Sequence, residues 1–204
     1  MFSYPSFREV CDSLGDKVLT GISKSAAGTA QDLRLYRRTF PTWVARGSER
    51  GLANWIHDRM WDHLTVQLDG IPNVNIHDHE PTREITVGWQ HRLRVKRHSS
   101  SGVVRTYPTP TALEFMFQGQ LALEGLEEIR LITGYMWDSD LRQVGVPVIS
   151  LRDGRDKIIW LEELPPADES GDTGTLDLTP PPTDGPIAPV VDINRPSAKE
   201  AEPE

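Results

Sequence analysis

Five basic side chains crowd the stretch WQHRLRVKRHSSSGVVRTYP, residues 89–108: Arg92, Arg94, Lys96, Arg97 and Arg105. Guanidinium forks and an ammonium at this density suit phosphate or carboxylate recognition. The spacing supports that chemistry. In EITVGWQHRLRVKRH, Ile85, Val87, Trp89, His91, Leu93 and Val95 fill one set of alternate positions, and Arg92, Arg94 and Lys96 belong to the other. Strict alternation predicts one long strand with a buried apolar face and a basic stripe opposite, its charges roughly 7 Å apart. Glu84 is the only acid between residues 81 and 108, so the stripe lacks nearby compensation. The plain alternative is an edge strand whose charges prevent edge-to-edge pairing.

Metal or catalytic chemistry has weaker support. All six histidines lie between His57 and His98. His77 and His79 would share a strand face, but no motif supplies the remaining ligands. His57 and His63 fall on nearly opposite sides of a helix. Lys96 has Arg94, not an acid, two positions before it, which does not fit a metal-dependent nuclease. Asp138 and Asp140 in YMWDSDLRQ read as turn residues. No Gly-rich phosphate loop, GxSxG elbow or Cys–His pair is present. Neither a metal nor a cofactor is expected.

Several elements must position the basic stripe. SFREVCDSLGDKVLTGI carries a Ser6/Glu9 capping box and apolar residues at helical spacing through Ile22, with Cys11 on the apolar face as a core residue. SKSAAGTA, residues 23–30, reads as a loop. In residues 31–44, Leu33 and Leu35 alternate as in a strand, while Pro41 and Trp43 suggest an irregular end. Ser48 caps a second helix that Gly70 closes. SSSG (99–102) reads as a turn and VVRTYP as a returning strand. Thr109 and Pro110 start a third helix, expected to run to Gly125 with Leu113, Met116, Phe117, Gln120 and Leu121 inward. Three strands follow, the last two joined at RDGRD. The fold expected is α+β: about three helices on a largely antiparallel sheet of five to six strands.

Charge divides the chain. Residues 165–204 hold nine acids, two bases and nine of the sixteen prolines, so the −8 total leaves residues 1–164 at about −1. This predicts a single α+β domain over 1–164 and a disordered acidic tail over 165–204, whose one apolar island is PIAPVVDI (186–193). The single cysteine excludes an internal disulfide. MFSYPSFREV does not read as a signal peptide, and no apolar run reaches the ~20 residues that span a bilayer. A cytoplasmic protein is expected. Arginine outnumbers lysine 17 to 5, which suits a high-GC bacterium or its phage.

The function expected is a non-enzymatic regulatory or interaction protein, a bacterial or phage accessory of the defence or toxin–antitoxin type. Its basic hairpin, Arg92, Arg94, Lys96, Arg97 and Arg105, would face a nucleic acid or an acidic protein surface. The alternative is an enzyme acting on nucleic acid or nucleotide, with His91, His98 or Asp138 in the chemistry.

Overall fold

A computed structural model describes residues 4–79, 82–118 and 128–167. The expected tail from residue 168 onward, with its PIAPVVDI island, lies outside the described residues, as does the expected end of the third helix at Gln120, Leu121 and Gly125.

The capping box forms at the first helix. The Ser6 side chain accepts from the Glu9 amide, and Glu9 Oε2 accepts from the Ser6 amide at 2.7 Å. Gly15, at φ +80°, ends α1 (Phe7–Leu14) and turns the chain into α2 (Asp16–Thr39). The expected loop at 23–30 and the unassigned 31–44 are therefore mostly one continuous helix. Small residues there pack; they do not break the helix. Ser23, Ser25, Ala26 and Thr29 are buried. The Ser25 and Thr29 hydroxyls donate to carbonyls four residues back, both at 2.7 Å, so neither is left without a partner.

Those small residues let α4 (Glu49–Leu68) come close. A methyl on Gly21 would lie 2.7 Å from Leu68 Cδ2, and one on Gly28 would lie 2.6 Å from the His63 ring. Ser48 caps α4 as expected, accepting from the Gly51 amide at 3.0 Å. Short α3 (Pro41–Arg46) joins α2 to α4 and buries no residue.

The sheet has six strands in the order β1 (Val74–His79), β2 (Thr82–Val87), β3 (His91–His98), β4 (Ile129–Asp138), β5 (Gln143–Arg152) and β6 (Ile158–Glu163). Every neighbouring pair is antiparallel except β3–β4. A parallel pair needs a long crossover. That connection carries α5 (Pro110–Phe115), capped by Thr109 as expected. The fold is thus α+β on a mostly antiparallel sheet.

Three strand expectations change. The expected single strand over 85–96 is a hairpin, reversed at Gly88 (φ +62°). Trp89 consequently sits in the turn and is 65% exposed instead of buried. VVRTYP contributes only a single bridge, Val104 to His98; the SSSG turn before it does form, closed by Gly102 N to Ser99 O at 2.8 Å. In the crossover helix Phe115 and Met116 are the buried residues, while Phe117 is exposed.

The two sheet faces have different covers. Ile85, Leu93, Val95, Leu131, Ile149 and Leu151 pack against Val18, Ile22, Met60 and Leu64 of α2 and α4. Farther along that layer, Leu33 and Ile56 pack with Tyr135, Trp137 and Val144. On the opposite face the crossover lays Val104, Phe115 and Met116 over Ile132. Gln118 pins it there, donating to the Arg130 and Arg152 carbonyls at 2.7 and 2.8 Å and accepting from the Arg130 amide at 3.1 Å. Among the described residues no helix is long and apolar enough to cross a membrane.

Candidate functional site

Strand β3 divides the five basic residues. Leu93 and Val95 are buried under the helices, so Arg92, Arg94 and Lys96 emerge on the other face. Arg97 has the parity of the helical side, with its guanidinium 5.2 Å from the Trp137 ring centroid. Arg105 is exposed on the crossover, off the sheet. The structure thus brings Arg92, Arg94 and Lys96 onto one face and places Arg97 and Arg105 elsewhere.

That face carries its own carboxylates. Glu84, buried on β2, has one oxygen 3.4 Å from Arg92 Nη1 and the other 3.0 Å from Arg94 Nε. Arg130 of β4 lies directly opposite Arg92 in the parallel register. Two guanidiniums paired this way repel. Glu128 sits between them, 2.7 Å from Arg92 Nε and 2.6 Å from Arg130 Nε. The Arg94 guanidinium lies 4.0 Å from the Phe115 ring centroid, a cation–π contact with the crossover helix. The Arg92 and Arg94 side chains differ in access, 43% and 16% exposed. Arg92 is therefore open to a partner, and Arg94 is held as part of the floor.

Lys96 is the outlier. It has no ion pair among the described residues, and burial followed by the charge of Arg94 pushes its pKa below the usual lysine value. Its charge is felt at His57 on α4, where burial first and then Lys96 and Arg83 depress the imidazole pKa.

No family model, curated protein or solved structure matches this chain.

The residues considered for catalysis are set apart. His91 and His98 stand at opposite ends of β3, roughly 23 Å apart along the strand. His98 is fully buried, its Nε2 3.1 Å from Ser150 Oγ. Burial, then the charge of Arg152, brings its pKa down to about 4. Burial also lowers the pKa of His91. Asp138 Oδ1 accepts from the amides of Asp140 and Leu141, both at 2.9 Å, so it fixes the β4–β5 turn. His77 stands opposite Glu84 on β1, but the described residues contain no group of three or more metal-ligating side chains.

His63 has a structural partner. Its Nε2 is 2.9 Å from Asp32 Oδ2, which also takes Arg59 Nε at 2.8 Å. Burial opposes ionisation of Asp32, but hydrogen bonds from His63 and Arg59 outweigh it and hold the carboxyl below its ordinary pKa. This trio ties α2 to α4.

Sequence reading missed two features. Glu84 shares parity with Arg92 and Arg94, and that parity was the available sign that it joins them. Glu128 and Phe115 reach the site only through the crossover, which no local pattern shows. The second feature is the ring array of Tyr36, Phe40 and Trp43, exposed at Phe40 and Trp43, which falls in the segment left unassigned.

Proposed function

We propose that the chain is a non-enzymatic interaction or regulatory protein whose strand face, through Arg92, Arg94 and Lys96, engages an anionic partner, either a nucleic acid or an acidic protein surface. One observation carries this reading. Around β3 on that face, four cations, Arg92, Arg94, Lys96 and Arg130, meet two carboxylates, Glu84 and Glu128, and Lys96 is left outside the pairs. Holding a partly buried ammonium beside a guanidinium costs free energy, and an arriving phosphate or carboxylate relieves it. The forks of Arg92 and Arg94 are already fixed by Glu84, so a partner immobilises little further side chain. A bacterial or phage accessory role fits the arginine-rich body and acidic tail.

The test uses the full chain with duplex DNA and poly-glutamate as probes across a salt series. Lys96→Met keeps the aliphatic stem and removes the charge. Combined with Arg92→Ala it should weaken binding about tenfold and flatten the salt dependence. Glu84→Gln makes the face more positive by one charge and should strengthen binding several-fold. Preference for one probe identifies the partner class. Unchanged affinity of both variants for both probes refutes the strand face as the site.

A further inference from the structure

The bend between α2 and α4 concentrates positive charge and exposed aromatic surface. RLYRRTFPTWVARGSER, residues 34–50, holds five arginines and one acid, a net +4 in a chain of −8. Its rings form an array. Tyr36 stacks on Trp55 with centroids 4.6 Å apart and planes 21° apart, and it touches Phe40 at 6.0 Å. Phe40 in turn stacks on Trp43 at 4.6 Å and 15°. The inner end of this array is Trp55, half-buried against the cluster around Leu33 and Ile56. The outer end is open: Phe40 is 40% exposed and Trp43 64%. The helix that carries Trp43 buries nothing, so these rings are not held outward by any core requirement of α3.

The arginines around the rings are mostly uncommitted. Arg37 donates to the Leu141 and Arg142 carbonyls, and Arg142 pairs with Glu49. Those contacts brace the bend against the β4–β5 turn and use up its one acid. Arg34, Arg38, Arg46 and Arg50 are exposed and have no ion pair among the described residues. Exposed apolar rings are normally a liability. Exposed rings on a bend that also carries four unpaired arginines match one ligand chemistry well: a flat π-face attached to a phosphate.

We propose that this bend is a binding surface for single-stranded nucleic acid, with Trp43 and Phe40 as the stacking platform and Arg34, Arg38, Arg46 and Arg50 as phosphate contacts. The strand must be single because a base inside a duplex already has both faces stacked, leaving none for Trp43. The surface lies on the helical layer, whereas the Arg92 face lies on the other side of the sheet, so this inference does not rest on that reading.

The experiment measures fluorescence anisotropy of labelled oligo(dT) and oligo(rU), about 15 nucleotides long, with the full chain at low salt. A hairpin duplex of equal length and vesicles of phosphatidylserine and phosphatidylcholine serve as competing targets. The single strands should bind more tightly than the duplex. If all four arginines engage, affinity should drop about 50-fold between 50 and 200 mM salt, from a slope of about −0.7 per phosphate. Trp43→Ala should weaken binding about 5- to 150-fold, the range for losing one stacked base, and Trp43→Phe should restore most of it. Thermal unfolding should be nearly the same for wild type and both variants, because α3 buries nothing. Lys96→Met with Arg92→Ala should leave Trp43-dependent binding intact. No binding of single strands at low salt overturns the proposal, as does equal affinity of Trp43→Ala and wild type. Vesicle binding that depends on Trp43, without oligonucleotide binding, also overturns it and makes the bend a membrane contact.

Discussion

Acid should unfold this protein partly through His98. The ring ends β3 with no solvent exposure, and its Nε2 faces the Ser150 hydroxyl. Arg152 Nε donates to the same hydroxyl at 3.4 Å, and the hydroxyl itself donates to the Ile132 carbonyl at 3.3 Å. A neutral ring that donates from Nε2 to Ser150 Oγ fits this network, and a second proton would sit on the buried, unpartnered Nδ1 and place a positive ring beside a buried guanidinium. Burial, then Arg152, lowers the pKa from 6.5 to about 4, while the Lys96 carbonyl pulls weakly the other way. Because the folded value is depressed, the contribution is fully present above about pH 6.5 and is lost as pH falls toward about 4. At about 1.4 kcal/mol per unit the loss totals roughly 3 kcal/mol. His57 and His91, also depressed, steepen the same window. Urea unfolding of wild type and His98→Gln, at several pH values from about 7 down to 4, isolates the His98 share. Glutamine can still donate to Ser150 Oγ but does not titrate. The variant should be less stable at neutral pH, and its deficit should shrink by roughly 3 kcal/mol on acidification. Two stability curves that stay parallel to within about 0.5 kcal/mol would show that the ring is not held neutral by the fold.

Three further variants test the packing and the tail. Gly28→Ala puts a methyl 2.6 Å from the His63 ring, so it should cost about 1–3 kcal/mol in thermal unfolding, since either α4 or the Asp32–His63 contact must move. Arg152→Ala removes a buried side chain that also holds the Gly102 and Arg155 carbonyls, and should cost about 2–4 kcal/mol by urea titration. Ending the chain at Leu164 keeps that buried residue and the hydrogen bond its amide donates to the Pro147 carbonyl, so stability should change by less than about 1 kcal/mol. The same truncation removes a net −7, and duplex DNA binding at low salt should tighten.

Local patterns carried part of this fold. The Ser6–Glu9 box, the Ser48 and Thr109 caps and the last three strands were all readable, because capping and alternation are decided by residues a few positions apart. The β2–β3 turn was hidden by an arithmetic coincidence. Val87 and His91 face each other across a three-residue reversal, an even separation, so the period-2 pattern runs through the turn without a break. Residues 23–30 misled for another reason. Ser, Ala and Gly in series resemble a linker, yet α4 makes them an interface by approaching to the distance only small side chains allow. That information sits in a helix some forty residues away.

The candidate sites differ in legibility for the same physical reason. Parity alone put Arg92, Arg94 and Lys96 together, so the cationic side of the strand face could be read directly. The extent of its neutralisation could not. Glu128 joins Arg92 to Arg130 because a parallel crossover sets β4 beside β3, and such pairing is invisible to any short window. A sequence therefore overstates the free charge of a strand whose partners arrive late in the chain. At the α2–α4 bend the bias runs the other way. No short pattern groups Arg34, Arg38, Arg46 and Arg50, and Pro41 and Trp43 read as an irregular end. The helices put all four arginines, Phe40 and Trp43 at exposed positions of one bend, and among the described residues none of the four arginines is ion-paired. The strand face holds the denser run of cations in sequence, but the bend holds more arginines without a partner. An oligonucleotide offered both surfaces should accordingly lose more affinity from Arg38→Ala with Arg46→Ala than from Arg92→Ala with Arg94→Ala, because Glu84 already holds the second pair. The reverse order in a side-by-side anisotropy titration would mean that Glu84 and Glu128 give way to phosphate, and that the strand face is the stronger site.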